Sequence, residues 1–360
     1  MVGEPVRIGC SFWGFLGPGV TGTPDGGRGH RRTLIDGIIS AGYEIVFLQA
    51  NRDLAEARHD LRGHYPWDGG LPRIHALFLE WRWPIPGRNT TPCGTRGHTC
   101  DLHHQDQLLD HYTRRLRLPT VLWDKDLRLP ATDELRGLRH VAVCEPALLP
   151  SAGAESLLFP VADAVLDAAD PSALAARPRP LPLAYVGNQY DRDAAFAAFF
   201  APAAARFAHR VAGKWTETAA WPHVNFTGRC AFTEVASLYG SALATVLLVP
   251  GRYARAGQMT QRLQETVLSG CLPITPASIA RASTFTPPDL HAADGKQVIQ
   301  RIQEAQSIAG TGRHAELIAA CLDRLSVFRL SHQVTALDLI LRKLADGPPA
   351  FLHPTQPVSR

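Results

Sequence analysis

Apolar positions along the chain fall into two rhythms. Unbroken apolar runs at VRIGCSFW (6–13), YEIVFLQA (43–50), IHALFLEW (74–81), PTVLWD (119–124) and RHVAVCEP (139–146) predict short strands buried on both faces. Between the first two runs, RRTLIDGIISAG carries Leu34, Ile35, Ile38 and Ile39 at helical spacing and stops at Gly42. DQLLDHYTRRL predicts a second helix before PTVLWD. Strand, helix, strand in repetition implies a parallel sheet with helices on both faces.

Residues 151–182 change character: Ala and Pro dominate, and the segment predicts a linker with a short helix. A second alternation follows. LAYVGN, RVAGKW, VNFTGR, ATVLLVP and CLPITP predict strands, and DRDAAFAAFFAPAAARFA, FTEVASLYGSA and QMTQRLQETVLSG predict helices. From about residue 313 onward the pattern is helical. The expected division is a first domain over 1–155, a linker over 156–182 and a second domain over 183–330. A final helix and tail over 331–360 is expected to pack back toward the first domain. The fold class this implies is α/β, two doubly wound Rossmann-like domains facing each other across a cleft, with ligands at the carboxyl ends of the strands.

Composition narrows the setting. At 360 residues, 45% hydrophobic and 19% charged, the chain is a folded protein large enough for two cores. Seven scattered cysteines, no basic segment leading into an apolar run and no long apolar stretch predict a cytoplasmic protein without a membrane span. The net charge of +4 arises entirely after residue 160, since the first part is balanced. A balanced first part with no long basic stripe does not point to nucleic acid.

One helix carries unexpected chemistry. GQMTQRLQETVLSGCLPITP (257–276) predicts a helix beginning near Gln258, and places Arg262 and Glu265 one turn apart just before a buried half. The first turn of a helix presents backbone N–H groups and a partial positive charge, an anion site. Arg262 would add a bidentate donor and Glu265 a hydroxyl acceptor. The plainer alternative is a surface i,i+3 ion pair worth a few tenths of a kcal/mol. Gln258, Met259 and Thr260 lie at the predicted helix start. Gly187, Asn188 and Gln189 follow the strand LAYV, Lys214 sits in the GKW turn, and Arg252 follows ATVLLVP.

The ordered set YVGN (185–188), GKW (213–215), LYGSALATVLLV (238–249) and R-x-x-E-x-x-x-x-G (262–270) resembles the nucleotide-sugar glycosyltransferases of the GT-B fold, nearest to their CgeB-like group. The resemblance implies a nucleoside diphosphate sugar donor, UDP-linked, held in the second domain with Glu265 on the ribose. It also implies a transfer reaction with no obligatory metal or other cofactor. Retaining members of this fold often carry two Glu separated by seven residues; eight positions before Glu265 stands Gly257, so the first Glu is absent, retaining chemistry gains no support and the stereochemistry stays open.

Transfer to a hydroxyl calls for a base, expected from first-domain loops. Asp25 and His30 follow the first strand, and Asp124 ends PTVLWD with Lys125 and Asp126 beside it. Each also has a structural reading, as a turn, solvated or capping residue. The insertion 86–106 holds Cys93, Cys100, His103 and His104, which admit a small structural zinc site, a Cys93–Cys100 disulfide or a plain loop. The acceptor is a small molecule, a protein, or a hydroxymethylated DNA base with Arg28, Arg31, Arg32, Arg114, Arg115 and Arg117 near its phosphates. Two rivals are a non-catalytic sugar-nucleotide binder and a sugar-nucleotide epimerase of the same fold.

Overall fold

The computed structural model describes residues 5–17, 27–86 and 89–346. Two wholly parallel sheets organise it. In the first, β1 (Arg7–Ser11), β2 (Glu44–Phe47), β3 (Ala76–Glu80), β4 (Thr120–Trp123), β5 (Val141–Glu145) and β6 (Glu155–Ser156) lie in the order β2-β1-β3-β4-β5-β6. In the second, β7 (Leu181–Val186), β8 (His209–Ala212), β9 (Ala242–Val246), β10 (Leu272–Pro276) and β11 (His291–Ala292) lie in the order β11-β10-β9-β7-β8. Every apolar run above became a strand except VNFTGR. That segment makes only a single bridge, Val211 with Phe226, because it turns away at Gly228, whose φ of 76° ends the extended backbone.

Both sheets are buried on both faces, as continuous apolar runs require. One core gathers Leu183, Tyr185, Val246, Leu263 and Ile274 in the second domain. The first domain has a core on each side of its sheet, one around Ile8, Phe78 and Trp123 and one around Leu77, Leu79 and Leu122. The last helix, Leu330–Ala345, crosses back. Its Leu337, Ile340 and Leu341 join the first-domain core beside the Arg28–Ser40 helix.

The domains are stitched at the carboxyl ends of their strands. The loop after β4 supplies the Lys125 carbonyl to Gln258 Nε2 at 2.8 Å and the Asp126 carbonyl to Arg252 Nε at 2.8 Å. Tyr253 donates its hydroxyl to Asp126. Backbone N–H groups of Leu148 and Leu149 donate to the carbonyls of Gly257 and Ala256. Among the described residues, no helix is long and apolar enough to cross a membrane.

Candidate active site

The predicted helix begins later than expected. A separate helix, Gly251–Ala256, unseen in the sequence pattern, ends at Gly257 with φ 60°, and the second helix starts only at Arg262. The left-handed conformation at Gly257 breaks what reads as one polar run. Gln258, Met259 and Thr260 therefore lie in a connection, not at a helix start. The Gln258 N–H is already taken by the Tyr253 carbonyl at 2.9 Å. Gln258 is fully buried and its Oε1 has no partner among the described residues. Met259 is a core residue at 2% exposure. Thr260 Oγ1 accepts from Arg262 Nη1 at 3.2 Å.

Arg262 and Glu265 form no ion pair. The Arg262 Nε donates to the Val186 carbonyl at the end of β7, and its guanidinium lies 5.6 Å over the Tyr185 ring. Gly187 makes room for it: a Cβ there would lie 2.5 Å from Arg262 Nε and Nη2. Glu265 accepts from Gln261 Nε2 at 2.7 Å. Burial raises its carboxyl above the usual range, against the opposing influence of Arg262 and Gln261.

A second guanidinium, not singled out from the sequence, sits nearby. Arg192 is 6% exposed and, among the described residues, donates only to backbone carbonyls: Leu248 at 3.2 Å, Asn188 at 3.2 Å and Tyr190 at 2.7 Å. Burial lowers its pKa, and the charge of Arg262 lowers it further. Among the described residues neither arginine has a carboxylate within ion-pair distance. Its place in the first turn of a polar segment, DRD, gave no sequence signal of burial. Arg192, buried, and Arg262, half-buried, thus stand without a carboxylate partner among the described residues, at the carboxyl edge of a parallel sheet, where ligands of such sheets bind.

The loop side chains around them are mostly occupied in building that edge. Asn188 Oδ1 accepts from Lys214 N at 2.8 Å. Gln189 Oε1 accepts from the N–H groups of Thr216 and Glu217. The Lys214 side chain is exposed. Arg252 is bound into a clasp with Asp191 at 2.5 Å and the Tyr190 hydroxyl at 3.0 Å, which Arg128 grips from the first domain at 3.0 and 2.9 Å.

Of the first-domain candidates, His30 reaches the other domain. It lies in the first turn of the Arg28–Ser40 helix, stacked on Phe159 at 4.1 Å between centroids, with its Nδ1 3.1 Å from Gln261 Oε1. Asp124 is fully buried and holds a turn, accepting from Arg128 N at 3.0 Å and Leu129 N at 2.7 Å. Burial raises its carboxyl pKa despite those two donors. Asp25 lies outside the described residues. Beneath the cleft, Glu80 at the end of β3 binds Arg31 Nε at 2.7 Å and Lys125 Nζ at 2.6 Å. Burial would raise its carboxyl, but the two cations overcome this and hold it at about 2.

The zinc reading is not supported. Cys93 and Cys100 are free thiols, and His98 Nδ1 lies 3.8 Å from Cys100 Sγ. His104 turns inward, its Nε2 2.8 Å from the Leu48 carbonyl. Among the described residues no group of three or more His, Cys, Asp or Glu is placed to hold a metal. The helix starting at Asp101 points His103 and His104 in different directions, which the sequence spacing alone did not reveal.

No protein-family model and no curated protein matches the chain, so the nearer likeness to the CgeB-like group gains no support. Solved structures do match over almost the whole length. T4 phage BGT, solved with UDP and Mn2+, has a TM-score of 0.64 at 12% identity and covers 94% of this chain and 99% of its own. An alpha-glucosyltransferase solved with UDP-glucose and DNA containing an abasic site has a TM-score of 0.57 at 12% identity, covering 93% and 99%. AviGT4, a glycosyltransferase involved in avilamycin A biosynthesis, has a TM-score of 0.58 at 15% identity, covering 96% and 99%. The two parallel-sheet domains, their clasp across the cleft and these likenesses together give the chain the GT-B glycosyltransferase fold.

Proposed function

We propose that the protein is a glycosyltransferase that moves a sugar from a nucleoside diphosphate sugar, UDP-linked, to an acceptor hydroxyl. The observation that carries this reading is the pair of guanidiniums, buried Arg192 and half-buried Arg262, set without a carboxylate partner among the described residues at the carboxyl edge of the second sheet. When the acceptor oxygen attacks the sugar's anomeric carbon, the bond to the β-phosphate oxygen breaks and its electron pair stays on the diphosphate. Fixed cations that need not reorganise lower the cost of that charge. Glu265 accepts the ribose hydroxyls, and His30 receives the acceptor proton. UDP is favoured because the T4 phage and alpha-glucosyltransferase neighbours were solved with UDP or UDP-glucose.

The cationic charge at the diphosphate comes from the protein in this reading, so the reaction proceeds without a divalent metal. The acceptor is a small molecule. Arg31, Arg32, Arg114 and Arg115 are paired with Glu80, Asp36, Glu134 and Asp110, and the first part of the chain carries as many acidic as basic side chains, so it offers no net positive charge to a phosphate backbone. A hydroxymethylated base in DNA is the second reading, favoured by the likeness, over almost the whole length, to a beta-glucosyltransferase described as a DNA-modifying enzyme.

The test is UDP release from a panel of UDP-sugars, with EDTA or Mn2+, and with hydroxylated small molecules or hydroxymethylated duplex DNA as acceptor. Release that depends on acceptor and survives EDTA supports the proposal. Isomerised sugar still attached to its nucleotide would instead mark an epimerase, and binding without turnover a sensor.

A further inference from the structure

Gln261 touches both His30 of the first domain and Glu265 of the second. Its Nε2 donates to Glu265 at 2.7 Å, and its Oε1 lies 3.1 Å from His30 Nδ1. An ionised carboxylate only accepts, so the amide must turn its NH2 toward Glu265 and its oxygen toward His30. That oxygen can only accept as well, so the contact requires a proton on His30 Nδ1. In the neutral ring the basic lone pair is then on Nε2. Stacking on Phe159 at 4.1 Å and edge contact with Trp123 at 5.5 Å hold the ring plane against a flip that would exchange the two nitrogens.

We propose that Gln261 is a positioning residue that fixes the tautomer of His30 and ties it to occupancy of the donor pocket through Glu265. Ribose hydroxyls donating to Glu265 keep it ionised, the ionised carboxylate keeps the amide in one orientation, and the amide keeps Nδ1 protonated. A bound donor thereby readies Nε2 for the acceptor proton before the acceptor arrives. The inference rests on the donor reading above for its purpose, but the tautomer is observable without any turnover.

The experiment is a long-range 1H–15N spectrum of histidine-labelled protein with and without UDP, His30 being assigned by its loss in His30→Gln. Wild type with UDP should show a protonated Nδ1 and a bare Nε2. Gln261→Met should return His30 to the Nε2–H form that free neutral imidazole prefers. Its donor turnover should fall about tenfold with KM unchanged. The double variant His30→Gln/Gln261→Met should be no slower than His30→Gln alone. Should Gln261→Met not fold, Gln261→Asn is read in the same way, since its shorter amide cannot span both partners. A bare Nδ1 in wild type, an unchanged tautomer in the variant, or additive losses in the double variant would overturn the proposal. Absence of UDP binding to wild type would sink the donor reading, leaving the tautomer result to judge Gln261 separately.

Discussion

Arg262 and Glu265 stand one turn apart on the same helix and turn away from each other, the guanidinium to the Val186 carbonyl and the carboxylate to Gln261. A surface i,i+3 pair would have joined them. Their separation leaves Arg262 with the charge of Arg192 beside it and no anion, and leaves Glu265 facing the cleft-bridging amide.

If that arrangement awaits a nucleoside diphosphate, UDP at about a hundred times its dissociation constant should stabilise the fold by about 2.7 kcal/mol. Arg262→Ala and Glu265→Ala should each abolish the rise in unfolding midpoint. A midpoint that UDP leaves unmoved in wild type, or moves equally in the variants, would remove the basis of the donor assignment.

Gly187 should be irreplaceable for the same reason. The added methyl of Gly187→Ala lies 2.5 Å from the guanidinium, which must swing away from Val186. The protein should fold, because the obstacle is the end of a side chain, but UDP affinity should fall at least about tenfold, or about 1.4 kcal/mol. Calorimetric titration of both proteins checks this. Equal affinities would mean that Arg262 does not contact the ligand.

Glu80 sets a stability window in acid. Its folded-state pKa of about 2 lies below the ordinary 4.5, so the unfolded chain binds the proton more readily. The stabilisation, about 3 kcal/mol, is fully present above pH 4.5 and is lost as pH falls toward 2. Glu80→Gln should be less stable at neutral pH and should show a shallower loss between those two values than wild type. Parallel pH profiles would show that Arg31 and Lys125 do not hold the charge.

Asp124 separates catalysis from architecture. Its two oxygens hold the Arg128 and Leu129 N–H groups, so Asp124→Ala should cost roughly 1–3 kcal/mol for each donor left buried. Asp124→Asn, which keeps one acceptor oxygen, should lose less stability and retain donor turnover. A variant that stays folded but is inactive would instead mark Asp124 as the base.

The sequence determined the alternation of strands and helices, the two parallel sheets and the placement of Arg262 and Glu265 after the strand ATVLLVP of the second domain. Buried parallel strands must be apolar throughout, and that signature survives in a single sequence. The break at Gly257 was hidden because a polar connection and a polar helix turn look alike until the backbone conformation is known. Burial of Arg192 and the roles of Asp124 and His104 were also decided by tertiary structure, because a polar side chain's partner is set by what other elements bring beside it. The link from His30 through Gln261 to Glu265 shows the limit most clearly. It joins residues 231 positions apart, and only the packing of one domain against the other brings them together.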